Sequence, residues 1–469
     1  MKNNSQIQSI TRRGFLASAL AAFAGTRTAS HAQDNPAPRP NILMILSDDL
    51  GWNDVGWHNA SVRTPNLDRL AARAVKFEQY RVNAVCSPTR SSLLTGRTCF
   101  RVGVPNPISQ GMALPATEKL MPQMLAGAGY QTWLVGKWHL GDIATQYLPM
   151  QRGFQYHYGF LGGEVDYWKH TTGNSTDWYR NGVPLAEDGY TTDLIAADAI
   201  RLIQARDTSK PFYLDLSFNA PHTPLEGREP FLSDFAAITD DKRKNYLSMV
   251  EDMDGAIGRV YDALEQEGIA DNTLLIWMSD NGGQTTGGGA SNTPLKGLKG
   301  DAWEGGIRVP AFALWPKVLD GGRVFDKFFT VLDWLPTLAE VTGMQLDPGI
   351  ELDGVNMWGS LTRGESAVRS YSILGGGTNY AVFKGDFKLV EQSVPKGPSQ
   401  RTLYQIFDDP AETRDVSVDN PDVMSELVKI LQNQPVGVAD TSATTAASAT
   451  HPMACKIFSV SSCRPSFVE

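Results

Sequence analysis

The strongest constraint on the fold is a run of seven residues, Asn41-Ile-Leu-Met-Ile-Leu-Ser47, apolar without interruption between its polar ends. A strand with one face in water alternates apolar and polar residues, so an unbroken run reads as a strand covered on both faces. Similar runs recur at residues 132–136, 212–217, 273–279 and 309–315. Helical patterns lie between them at 65–74, 119–128, 192–205 and 242–267. In the last, Leu247, Val250, Ile257, Val260 and Leu264 return at helical spacing. Strands alternating with helices predict an α/β fold, a mostly parallel sheet sandwiched by helices. Beyond about residue 345 the pattern changes. Residues 380–383 and 387–390 read as a hairpin around Lys384-Gly-Asp386, residues 403–406 as a third strand and 422–432 as a helix. This predicts a smaller C-terminal α+β domain on an antiparallel sheet.

The chain has 469 residues, 42% hydrophobic and 20% charged, which is ordinary globular composition. Its net charge of −9 argues against a nucleic-acid binder, so an anionic ligand would need a local basic pocket. At the N-terminus, Thr11-Arg-Arg-Gly-Phe-Leu16 is similar to the twin-arginine export motif, and the apolar stretch Phe15 to Gly25 is too short for a stable membrane span. Residues 1–32 are therefore expected to be a signal peptide read by the twin-arginine export machinery, followed by a linker at 33–40. The expected destination is the bacterial periplasm or the cell exterior. An uncleaved signal would instead act as an anchor. Four cysteines exclude a disulfide scaffold. Cys99 reads as a small buried residue, Cys455 and Cys463 are able to pair after export, and residues 436–469 read as a low-complexity tail.

Acidic residues stand at strand ends, where sites collect in open α/β sheets. Asp48 and Asp49 follow the first run, and Asp280 and Asn281 follow another more than two hundred residues later. Three carboxylates and an amide are hard oxygen ligands suited to calcium or, less well, magnesium. Asp and Asn also make ordinary turns at such places. A third group is Cys86-Ser-Pro-Thr-Arg90, continuing to Leu94-Thr-Gly-Arg97. Pro88 suits the first turn of a helix and Gly96 its end, which sets residue 86 at a helix N-terminus that favours an anion. Lys137 and His139 lie two apart on an extended segment, so both can reach one ligand. His222 follows another strand within Asn219-Ala-Pro-His222, and Lys299 closes Asn292-Thr-Pro-Leu-Lys-Gly-Leu-Lys299.

The Cys86 run resembles the signature of the type I sulfatases, and Tyr130-Gln-Thr-Trp-Leu-Val-Gly-Lys137-Trp-His139 resembles their second signature. The Asp48–Asp49 pair, the Asp280-Asn-Gly282 stretch, the His222 segment and the Lys299 segment follow in family order. The resemblance implies the alkaline-phosphatase-like fold, with a catalytic domain over residues 41–345 and a small-sheet subdomain over 346–435. It implies that Cys86 is oxidised by a formylglycine-generating enzyme to formylglycine. It further implies one calcium ion held by Asp48, Asp49, Asp280, Asn281 and residue 86. The reaction so implied is sulfate-ester hydrolysis through a covalent intermediate. The hydrated aldehyde attacks sulfur, with Asp280 or the metal assisting its deprotonation. Arg90, Lys137 and Lys299 hold the sulfate, His222 protonates the leaving alcohol with Lys299 assisting, and His139 deprotonates the second hydroxyl. Thr89 stands where the family usually has serine, and Lys296 where arginine is commoner.

Residues 282–288 with 303–306, and residues 152–163 followed by 166–168, look closer to the N-acetylgalactosamine-4-sulfatase branch than to other sulfatases, which implies a sulfated sugar or polysaccharide, with an aryl sulfate as the other candidate. The aromatic-rich stretch Tyr156 to Tyr190 offers either stacking surfaces for sugar rings or ordinary loop packing. Two other readings remain at this level. One is a phosphonate or phosphate monoester hydrolase of the alkaline phosphatase superfamily; the other is a sulfated-glycan binding protein without turnover.

Overall fold

The computed structural model describes residues 39–394 and 396–442. The expected signal peptide, Cys455 and Cys463 lie outside the described residues. The five expected runs all form strands: β1 (Asn41–Ser47), β2 (Gln131–Lys137), β4 (Phe212–Ser217), β5 (Thr273–Ser279) and β6 (Ala311–Leu314). A further strand, β3 (Tyr156–Phe160), comes from the aromatic stretch. The central sheet has ten strands, and its middle runs β3-β2-β4-β1-β5-β6. The first five of these are mutually parallel, whereas β6 pairs antiparallel with β5. Short strands at Val75–Phe77 and Arg323–Phe325 extend one edge, and Tyr179–Arg180 and Val183–Pro184 the other.

The side chains of β1 explain its unbroken apolar run. Ile42, Met44 and Leu46 enter one hydrophobic core, and Leu43 and Ile45 enter a second core on the opposite face. Each face is covered by helices. On the second face lie α1 (Pro65–Arg73), α3 (Thr191–Ala205) and α4 (Asp241–Gln266), the last contributing Leu247, Val250, Ile257, Val260 and Leu264. Asp240 caps α4 by accepting from Lys242 N and Arg243 N. The first core receives Leu93 and Leu94 from α2 (Cys86–Thr95), which ends at Gly96 with φ of 65°.

The small sheet is antiparallel, in the order β7 (Ser372–Gly376), β8 (Asn379–Lys384), β9 (Phe387–Gln392) and β10 (Gln400–Gln405). Ile373, Val382, Leu389 and Leu403 pack on Leu427 and Leu431 of α5 (Pro421–Gln432), together with Cys99, which is fully buried as expected. Leu374, Ala381, Phe383, Val390 and Tyr404, from the other face, join the first core of the large sheet. Residues 436–442, at the start of the expected low-complexity tail, take part in the fold. Asp440–Thr441 pairs with Met112–Ala113, and Asp440 accepts from Tyr147 Oη at 2.8 Å and Ala116 N at 3.0 Å.

A buried ionic knot ties the small sheet to Arg81 and Glu304, which lie outside it. Lys388 of β9 donates to Glu304 Oε1 at 3.0 Å and Glu412 Oε1 at 2.6 Å, and Arg81 donates to Glu304 Oε2 at 2.7 Å. All three of Arg81, Glu304 and Lys388 are fully buried. Removing one partner of such a knot strands a buried charge. Lys388→Met is therefore expected to lower unfolding free energy by about 3–5 kcal/mol. A chemical denaturation series checks this, and an unchanged midpoint would show that the knot is energetically neutral.

Candidate active site

The site forms beyond the carboxyl ends of β1, β2, β4 and β5, where the ends of parallel strands and the N-terminus of α2 converge. Asp48 and Asp49 follow β1 and are buried, as are Asp280 and Asn281 after β5. Register brings the two segments together, since Ser47 pairs with Ser279. Asp49 N donates to Asp280 Oδ1 at 3.3 Å, and Asn281 Nδ2 donates to Asp49 Oδ1 at 2.7 Å. Cys86, the first residue of α2, donates from Sγ to Asp48 Oδ1 at 3.5 Å. Burial, and then the Asp48 carboxylate, push this thiol up to about 12, so it is held as the neutral thiol.

Three cations face the three carboxylates. Lys137, the last residue of β2, pairs with Asp48 at 2.5 Å. Arg90, one turn into α2, donates through Nη2 to Asp280 Oδ2 at 2.8 Å and lies 3.9 Å from Asp48. Lys299 lies 2.7 Å from Asp49 Oδ1 and 3.0 Å from His222 Nε2. Burial by itself would raise Asp48, but Lys137, His222, Arg90 and Lys299 outweigh it and hold its carboxyl far below the usual range. Burial works against the charged form of Lys299, yet the Asp49 and Asp48 carboxylates draw its ammonium upward.

The two histidines hold different tautomers. His222 Nδ1 lies 2.7 Å from Thr223 O and must donate there, which leaves Nε2 to accept from Lys299. His139 has Nε2 3.2 Å from Ile108 O, and its buried Nδ1 has no partner. Burial, then Lys137 and Arg90, push His139 well below its ordinary value, so it stays neutral. All ten residues expected from the sequence thus converge on one cluster.

The donor set fits a hard divalent cation. Ligand atoms of Asp48, Asp49, Cys86 and His222 all lie within 4.8 Å of one another. Asn281 Oδ1 is buried without a hydrogen-bond partner, a free acceptor among carboxylates. Asp280 supplies a third carboxylate, now turned toward Arg90.

Several residues that position this cluster were not expected from the sequence as site residues, although Ser87 and Tyr167 lie inside runs that resemble family motifs. The Tyr167 hydroxyl lies 2.8 Å from Asn219 O and 2.9 Å from His222 O, tying down the His222 segment. Ser87 Oγ donates to His139 O at 2.8 Å and accepts from Ile108 N at 2.9 Å. Asn83 Nδ2 donates to Pro88 O at 3.0 Å and Ser92 Oγ at 2.9 Å, fixing the start of α2. Each acts through a carbonyl or hydroxyl brought close only by folding. The two departures from the family pattern are accommodated. Thr89 Oγ1 accepts from Asn83 N at 2.9 Å, a contact its methyl group does not disturb, and Lys296 Nζ sits 3.5 Å from the Trp303 ring centroid. Of the aromatic stretch, Tyr158, Phe160, Tyr167, Trp178, Tyr179 and Tyr190 are buried as packing, and Trp168 is left 50% exposed.

With this geometry in place, residues 40–344 match the family model described as Sulfatase. The chain belongs to the sulfatase family. It is 36% identical to mouse arylsulfatase J over 343 residues, covering 70% of this chain and 56% of that protein. It is 32% identical to human N-acetylgalactosamine-6-sulfatase over 386 residues, covering 76% of this chain and 72% of the relative. Among solved structures it is similar to Ps i-CgsB in complex with k-i-k-neocarrahexaose, at a TM-score of 0.79 and 32% identity, covering 87% of this chain and 96% of that one. The alkaline-phosphatase-like sandwich and the small antiparallel sheet are thus the expected fold of this sulfatase.

Proposed function

We propose that this protein is an exported hydrolase of sulfate esters carried on saccharides, with residue 86 matured to formylglycine and one calcium ion bound. The observation that carries the reading is the convergence of Cys86, at a helix N-terminus, with three cations and three carboxylates. Relatives named for sulfated sugars, and a neighbour solved with a carrageenan-type hexaose, support a saccharide substrate over an aryl sulfate. The twin-arginine-like motif supports export to the periplasm or beyond.

Asp48, Asp49, Asp280, Asn281 and residue 86 would hold the ion. A bound dication there supplies Lewis acidity and turns a charge-balanced cluster into a net positive one. The side chains supply the rest. As formylglycine, residue 86 offers a hydrated oxygen nucleophile, with Asp280 beside it to accept the proton. Arg90, Lys137 and Lys299 bind the sulfate oxygens where negative charge is redistributed. His222 Nε2 and Lys299 Nζ hold a proton between them, 3.0 Å apart, and it passes to the leaving alcohol. His139 is kept neutral with Nδ1 free, so it takes the proton of the second hydroxyl at 86 and sulfate departs. Losing either histidine is expected to cost roughly 10²–10⁴ in rate.

The test is sulfate release from a panel of desalted sulfated galactose and galactosamine oligosaccharides, beside an aryl sulfate and an aryl phosphonate. The expected result is the highest kcat/KM on a saccharide, abolished by chelation and restored by calcium. Turnover confined to the phosphonate, or activity that survives metal analysis-confirmed chelation, would overturn the reading.

A further inference from the structure

A pocket borders the His222 segment, and its charge is opposite to that of a sulfate-binding surface. It is lined by Glu164, Asp166, Thr171, Thr172, Gly173 and Thr223, among others, and among the described residues no Lys or Arg lines it. Glu164 Oε2 lies 3.9 Å from His222 Nδ1, which places the pocket immediately beside the leaving-group side of the cluster. The Glu164 side chain is 55% exposed, while its backbone carbonyl accepts from Thr172 Oγ1 at 2.7 Å. The position is therefore fixed and the carboxylate is available. Asp166 accepts from Trp168 N at 3.0 Å and Lys169 N at 2.6 Å, and so holds the turn that presents the half-exposed Trp168 ring against Tyr190. Lys169 lies 3.8 Å from Asp166 Oδ2 with its side chain 78% exposed. Such an exposed cation is mostly screened by solvent.

We infer that this pocket seats an uncharged sugar unit next to the sulfated one, and that the enzyme discriminates against substrates sulfated on that neighbouring unit. The inference rests on the saccharide sulfatase reading above and names the substrate more closely. Carboxylates accept hydrogen bonds from neutral vicinal hydroxyls, and the Thr171 and Thr223 hydroxyls add donors and acceptors. A second sulfate placed here would meet two carboxylates with no cation lining the pocket. In the catalytic cluster, by contrast, every carboxylate faces a lysine or arginine.

The test uses matched galactose-based disaccharides, one sulfated only on its non-reducing unit and its twin with a second sulfate on the reducing unit. Binding to the Cys86→Ala protein reads the pocket without turnover. The singly sulfated ligand is expected to bind roughly tenfold tighter, as suits a partly screened like-charge contact, with the ratio shrinking as salt rises. Adding Glu164→Gln is expected to bring the ratio toward one, and Glu164→Arg to reverse it. Equal affinities for the twins, or a ratio that neither substitution moves, overturns the inference. Absence of turnover on both twins in the wild-type protein, with the binding ratio intact, would remove the hydrolase reading and leave the pocket's preference standing.

Discussion

Alanine at position 86 is expected to leave no measurable sulfate release in a protein that still folds. Residue 86 is 2% exposed and its Sγ makes one weak hydrogen bond, to Asp48 at 3.5 Å, so the substitution removes one atom and one weak bond. The chemistry is another matter. A thiol pushed up to about 12 by burial and by Asp48 is a poor nucleophile near neutral pH. An oxygen nucleophile made from this residue avoids that problem, and a hydrated aldehyde also brings a second hydroxyl whose deprotonation expels sulfate. Cys86→Ser is expected to fail for the same reason, because one hydroxyl offers no internal exit. Mass spectrometry of the tryptic peptide spanning residues 82–90 checks the maturation directly. Active wild-type protein should show the aldehyde there. An active preparation with only thiol at 86 would defeat the proposed mechanism while leaving the fold and family in place.

Much of the large sheet is legible in the sequence because its strands are buried twice over. β4 and β5 occupy the residues that their apolar runs predict, and β1 does the same. Direction is not written in such runs. Residues 309–315 read like the parallel strands, yet β6 runs antiparallel to β5, a fact fixed by the chain's path and not by its own side chains. Two strands carried weak signals. In β3, Tyr156-His-Tyr-Gly-Phe160 has a histidine and a glycine that read as loop, and β7 ends in Gly375-Gly376, which strands disfavour. The docking of Asp440–Thr441 was equally hidden, since a Thr/Ala/Ser-rich composition says nothing about an edge waiting at Met112–Ala113. The site shows the same division. Acidic pairs at strand ends and a cysteine before a helix are visible as residue types in order. That Lys137 faces Asp48, Lys299 faces Asp49 and Arg90 faces Asp280 emerges only from register.

Asp48→Ala is expected to remove catalysis and to destabilise the ion-free protein at once, and the two effects are separable. Asp48 is fully buried and its partner Lys137 is 1% exposed. Deleting the carboxylate leaves a buried ammonium without its closest counter-charge, a loss of about 3–5 kcal/mol. The sign with pH follows from the direction of the shift. Because Lys137 and the other cations hold the folded-state carboxyl below its ordinary value of 3.8, the pair stabilises above that value. The contribution is lost as pH falls through the acid range. The wild-type and Asp48→Ala unfolding curves should therefore converge on acidification. Calcium supplies an independent readout. A ligand that binds only the native state at a thousand times its Kd adds about 4.1 kcal/mol. The wild-type unfolding midpoint should climb with calcium, whereas that of Asp48→Ala should not. Lys137→Met distinguishes the two roles, since it breaks the same ion pair but leaves all the oxygen ligands, and its midpoint should still respond to calcium. A calcium response that persists undiminished in Asp48→Ala would remove Asp48 from the ligand set and reduce its role to pairing with Lys137.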